Sequence, residues 1–204
     1  MSSQIALPLV TARGAETVVM GPSLLPVIEA LQSASTWPFR TAILIGPPRS
    51  GKSLLARWFV ESGAGEVLDS ANALPEDELF HHWNRAQASG RPLLLVSDRA
   101  PGEWKVALPD LASRLGSALL IEIGAPDDEL VAGLIVEHSA RRGLVLGDQV
   151  MAYLLPRVER AHAEIELLIE TLDRLSLERK SPVTISLARD ALAERTGEFQ
   201  PRLL

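Results

Sequence analysis

The segment TAILIGPPRSGKSLLARWF, residues 41–59, limits what this chain can fold into more than any other stretch. An aliphatic run ends at Gly46, and after four intervening residues Gly51, Lys52 and Ser53 open a stretch with helical spacing of apolar residues. Strand, glycine-bounded loop and helix in that order are the context in which G-x-x-x-x-G-K-[ST] works as a phosphate cradle. The two glycines permit torsions that let consecutive N–H groups converge on an anion, and the helix aims its positive end at the same point. Gly46, Pro47, Pro48, Arg49, Ser50, Gly51, Lys52, Ser53 and Leu54 are therefore candidate nucleotide contacts. Lys52 would reach the β- and γ-phosphates and Ser53 would hold Mg²⁺.

The rest of the N-terminal part fits a βαβ sheet around that loop. TAILIG (41–46), GEVLD (65–69), RPLLLVSD (91–98) and ALLIEIG (118–124) are short aliphatic runs bounded by Gly, Pro or Asp, as buried parallel strands read when both faces are covered. Between them, PEDELFHHWNRAQASG carries Leu79, Phe80 and Trp83 at helical spacing; its acidic start caps the helix and Gly90 stops it. Strand and helix alternate, which implies a parallel sheet with right-handed crossovers. After GAPDD (124–128) the aliphatic runs stop, and residues 128–142, 147–155, 160–179 and 186–195 read as amphipathic helices of a small bundle. The predicted class is α/β with a C-terminal all-α lid. The division is a peptide at 1–10, a nucleotide-binding module at 11–124 and a lid at 125–204.

Composition removes several functions. A net charge of −6 lacks the basic footprint of direct DNA binding, so no sequence-specific DNA contact is expected. The absence of cysteine excludes disulfides, thiolate metal sites and thiol nucleophiles. No targeting segment or membrane span is evident, so the expected location is the cytoplasm. His81 and His82 are helical neighbours that point apart and make a poor chelating pair. The four tryptophans, Trp37, Trp58, Trp83 and Trp104, read as packing residues.

A phosphate loop also needs a carboxylate at a strand end to hold the metal, and two are available: Asp98 after LLLVS and Asp69 after EVL. Spacing alone favours Asp98. Ser70 and Arg99 follow them, so neither strand ends in the Asp-Glu pair of a vigorous hydrolase.

In combination, LFHHWNRAQASGRPLLLVSDRAPGEW and LPDLASRL resemble the AAA+ module of the bacterial replication initiator DnaA, and more closely its short homologues, the Hda family of regulatory inactivators. The resemblance runs from about residue 4 to 195. It implies an AAA+ fold and makes Asp98 the sensor 1 residue and Asp69 the Walker B acid, reversing the spacing argument. It places Arg114 on the family's arginine finger, acting in trans on a neighbour's γ-phosphate. It puts Val19 and Met20, in VVMGPS, where the family's loop contacts adenine. It also explains the apolar start of the chain. Gln4, Ile5, Ala6, Leu7, Pro8 and Leu9 resemble the family's clamp-binding hexapeptide, with DNA polymerase III's sliding clamp as the implied partner. The implied function is negative regulation of replication initiation, with DnaA as the target and a homodimer allowed. The alternative is a DnaA-like adaptor that recruits a partner without promoting hydrolysis.

Three departures from the family carry expectations. Only sixteen residues separate Lys52 from Asp69, room for one helix and a strand, so the sheet should have four strands with GEVLD at an edge. Glu166 stands where the family's sensor 2 arginine belongs, with Arg157 and Arg160 as nearby substitutes. This predicts ADP binding or feeble ATP turnover. No helix-turn-helix follows the lid helices before Leu204, so an initiator that reads DNA boxes is not expected.

Overall fold

The computed structural model describes residues 19–197, which form two compact units. The hexapeptide Gln4–Leu9 lies outside the described residues. One unit runs from Leu24 to Gly124; the other joins Val19–Ser23 to the chain from Ala125 onward.

The first unit holds a parallel sheet in the order β2-β3-β1-β4, formed by β1 (Thr41–Ile45), β2 (Glu66–Leu68), β3 (Leu93–Ser97) and β4 (Leu119–Glu122). The two central strands read LLLVS and TAILI and are buried along nearly their whole length, because helices cover both faces. The shorter β2 stands at an edge, as the tight Lys52–Asp69 spacing requires. The helices are α1 (Leu25–Gln32), α2 (Lys52–Glu61), α3 (Glu76–Ser89) and α4 (Pro109–Ser117). On α2, Phe59 is fully buried and stacks on Trp37, ring centroids 5.4 Å apart. Trp83 of α3 is also buried, whereas Trp58 and Trp104 are half-exposed.

Register places the chemistry. Ile45 pairs with Ser97, so the residues that follow, Gly46 and Asp98, emerge side by side at the carboxyl end of the sheet. Leu68 pairs with Leu95, which brings Asp69 to the same end. Crevices beyond the carboxyl ends of parallel strands are where open α/β sheets bind ligands.

The second unit packs α5 (Asp128–Arg141), α6 (Asp148–Leu154), α7 (His162–Arg179) and α8 (Ile185–Thr196) around Ile135, Leu154, Ile165, Ile169 and Leu172, all at or near complete burial. Asp127 caps α5 by accepting from the Leu130 N–H at 2.9 Å, and its other oxygen accepts from the Ser23 N–H at 2.6 Å. That carboxylate fastens Val19–Ser23 to the helices. Burial raises the Asp127 pKa, but the N–H of Leu130 and the hydroxyl and N–H of Ser23 outweigh it and hold the group below the ordinary carboxylate value. No described helix is long and apolar enough to cross a membrane.

Candidate functional site

The loop between β1 and α2 has the conformation its sequence demands. Gly51 takes φ +87°, a left-handed torsion that costs glycine nothing. At Gly46 a Cβ would come within 2.9 Å of both the Ile123 Cβ and the Ser50 Oγ, so only glycine lets the loop pass. Arg49 is also left-handed, at φ +63°. Ser50 is buried, with its Oγ unpaired, while Pro47 and Pro48 are exposed and Leu54 lies half-buried on α2.

The Lys52 ammonium group has three partners, enough for its three N–H donors. It donates to the carbonyls of Gly46 (2.7 Å) and Pro47 (2.9 Å) and pairs with the Asp98 carboxylate at 2.8 Å. Its side chain is 10% exposed and that of Asp98 is 70% exposed. The lysine is thus anchored inside the loop, and its carboxylate partner sits in solvent. Ser53 donates from its hydroxyl to Asp69 at 3.3 Å. A hydroxyl and a carboxylate are two magnesium ligands; phosphate oxygens and water would have to supply the rest. Among the described residues no group of three His, Cys, Asp or Glu side chains could hold a metal without such help. A glycine-bounded loop at a helix N-terminus, a buried ammonium and this oxygen pair fit a magnesium–nucleotide phosphate tail.

Arg114 occupies a helix, α4, rather than a loop between strands. Its Nη1 donates to Asn84 Oδ1 at 2.7 Å and its Nη2 pairs with Asp110 at 2.8 Å. The guanidinium lies over the Phe80 ring, 4.6 Å from its centroid. Nearby, Phe39, Trp83, Gln87 and Ser117 line an open cavity of about 420 Å³ that Arg114 also borders.

The acidic start of α3 puts Glu76, Asp77 and Glu78 in its first turn, at the positive end of the helix, but without a side-chain cap bond. Pro75 is the N-cap and no side chain bonds there. Glu76 instead accepts from the N–H groups of Ala107 (2.7 Å) and Leu108 (2.9 Å), at the entrance of α4. Glu76, Phe80 and Asn84 escaped the sequence analysis as site residues. Their four-residue spacing was readable as one helix face, but not what that face touches.

Val19 and Met20 belong to the helical unit, where a Cβ at Gly133 would lie 2.3 Å from the Val19 Cγ1. Glu166 stands on α7; its charge raises the pKa of His138, but burial is the larger effect and leaves His138 below its ordinary value. Of the two substitute arginines, Arg157 stacks 4.3 Å from the Tyr153 ring centroid and Arg160 pairs with Asp128 at 2.5 Å. Both are engaged within the helical unit.

Residues 127–192 match the model of the Hda lid domain, described as "Hda, lid domain". The chromosomal replication initiator protein DnaA of Thermomicrobium roseum is 31% identical over 123 residues, which cover 58% of this chain and 26% of that protein. The chain is DnaA-related and Hda-like. Its match thus spans about a quarter of the length of that curated relative. In three dimensions this Hda-like chain is similar to domain III of DnaA from Thermotoga maritima, with a TM-score of 0.69 at 17% identity, covering 87% of this chain and 94% of the other. It is also similar to AMPPCP-bound DnaA from Aquifex aeolicus, with a TM-score of 0.58 at 20% identity over 80% of this chain and 66% of that one. These likenesses establish the AAA+ fold: a four-stranded parallel sheet with flanking helices, followed by lid helices.

Proposed function

We propose that this Hda-like protein is a negative regulator of chromosomal replication initiation. It binds ADP or ATP with Mg²⁺ through Gly46–Ser53, Leu54 and Asp69, with Asp98 as sensor and Val19 and Met20 against the base. It docks on the polymerase III sliding clamp through Gln4–Leu9. It then presents Arg114 to the γ-phosphate of ATP held by DnaA and speeds hydrolysis to the ADP form. Residues 125–204 act as the lid, and the protein works in the cytoplasm as a monomer or homodimer.

The observation that carries this reading is a complete phosphate loop combined with an arginine held at the surface of the same unit, 30% exposed and tied to Asp110 and Asn84 rather than to the core. An arginine delivered in trans is worth about 10³ to 10⁵ in rate in nucleotide hydrolysis. Intrinsic turnover should stay feeble, because a carboxylate at Glu166 repels a γ-phosphate and no Asp-Glu pair follows a strand.

The test is release of phosphate from ATP-loaded DnaA of the same organism, with clamp-loaded DNA and the protein present. Stimulation should vanish with Arg114→Ala. It should require the clamp, and a Gln4→Ala, Leu7→Ala double variant should lose clamp binding. Stimulation that survives Arg114→Ala would instead favour an adaptor that does not act on the nucleotide. Brisk ATP turnover by the isolated protein would contradict the regulatory reading.

A further inference from the structure

Glu76, Phe80 and Asn84 are spaced at i, i+4 and i+8 on α3, so they form one stripe along the helix. Each touches the segment that carries Arg114. Glu76 receives the Ala107 and Leu108 N–H groups and so fixes where α4 begins. Phe80 lies beneath the guanidinium, and Asn84 receives one of its N–H groups. All three restrain Arg114 or its helix, and the two groups in contact with the guanidinium are neutral. Asp110 is different. Its carboxylate lies four residues before Arg114 on the same helix and carries a full charge 2.8 Å from the cation, with 62% of its side chain exposed.

Asn84 takes one N–H and Asp110 pairs with the guanidinium at Nη2, which leaves further donors of the five for another acceptor. Any phosphate that uses them comes close to the Asp110 carboxylate and is repelled by it.

We infer that Glu76, Phe80 and Asn84 are positioning residues that hold Arg114 ready for an incoming phosphate, and that Asp110 is a competing carboxylate that holds its activity down. This rests on the reading of Arg114 as the residue that acts on a partner's nucleotide. The two groups of residues should therefore act with opposite sign. A neutral acceptor or ring can keep its contact while phosphate binds; a carboxylate must share the cation or give it up.

The experiment measures single-turnover hydrolysis of ATP on DnaA, with clamp-loaded DNA and saturating full-length protein. Circular dichroism and melting of each variant confirm the fold. Asp110→Asn keeps an acceptor of the same shape without the charge. It should raise the saturating rate about two- to fivefold at low salt, the range of an exposed ion pair, and the gain should fade at high ionic strength. Asn84→Ala should lower the saturating rate about tenfold through loss of a hydrogen bond to a charged group, and Phe80→Leu about two- to fivefold through loss of the ring face. Neither should change the protein concentration giving half-maximal effect. Asp110→Asn should do nothing in an Arg114→Ala background.

If Arg114→Ala abolishes stimulation but Asp110→Asn lowers the rate or leaves it unchanged, the opposed roles are wrong while the function stands. Unchanged rates in both Phe80→Leu and Asn84→Ala would likewise overturn the positioning role alone. If Arg114→Ala itself has no effect, the function and this inference fall together.

Discussion

Lys52 and Asp98 form an ion pair whose two members should matter very unequally. Lys52 is nearly buried and makes two further bonds, to the Gly46 and Pro47 carbonyls, whereas the Asp98 side chain is 70% exposed. Exposed pairs are screened by solvent, so Asp98→Ala should cost at most about 1 kcal/mol, a shift of about 0–4 °C in a domain of this size. Lys52→Met removes charged donors from two loop carbonyls. Water can reach the one at exposed Pro47, so the loss should be about 1–3 kcal/mol, or about 2–12 °C. Nucleotide binding should separate them further. Lys52→Met deletes a charged bond to phosphate and should weaken Mg–ADP binding about 10- to 100-fold. Asp98→Ala removes a competitor for the ammonium and should leave ADP affinity equal or tighter. Differential scanning calorimetry of both variants, followed by ADP titration in an isothermal calorimeter, gives both numbers. The reasoning is refuted if Asp98→Ala destabilises as much as Lys52→Met, or weakens ADP binding comparably.

Two further predictions concern the helical unit. Asp127→Ala removes the α5 cap and the tie to Ser23 and should cost about 1–2 kcal/mol by chemical denaturation near neutral pH. The Asp127 pKa is depressed on folding, so its contribution is present above the ordinary carboxylate range and disappears as pH falls through the lowered value. Asp127→Asn should flatten stability there, and an unchanged acid limb would refute the link. His138 is held below its ordinary value by burial, against the charge of Glu166 and with Arg141 and Arg142 adding to the effect; Glu137 opposes it. The unfolded chain then binds the proton more readily. Stability is complete above about pH 6.5 and declines as pH drops through the lowered folded value. His138→Gln should remove that decline from urea denaturation curves taken below about pH 6.5, while an identical slope in the variant would assign it to another group.

Local pattern determined a great deal here. Gly51 just before Lys52 and Ser53 supplies a left-handed torsion local to the loop, and β1 and β3 are read from uninterrupted aliphatic runs. The edge position of β2 followed from counting, since sixteen residues leave no room for another strand and helix. The alternation of β1, α2, β2, α3 and β3, and the switch to helices after residue 124, are likewise consequences of hydrophobic period and chain length.

Tertiary structure alone decided three matters. Register at Ile45 and Ser97 brought Asp98 to Lys52, a contact made across strands rather than along the chain. The Asp127 carboxylate drew Val19–Ser23 to the helical unit, although 104 positions separate Ser23 from Asp127 in sequence. Most of what surrounds Arg114 also comes from elsewhere. Of Asp110, Phe80 and Asn84, only Asp110 lies on its own helix, where a four-residue spacing announces it. The physical reason is common to all three. Backbone torsions, caps and hydrophobic period are set by residues within a few positions of one another, whereas a side chain's charge partners depend on which helix face meets which, and the packing of the whole unit settles that.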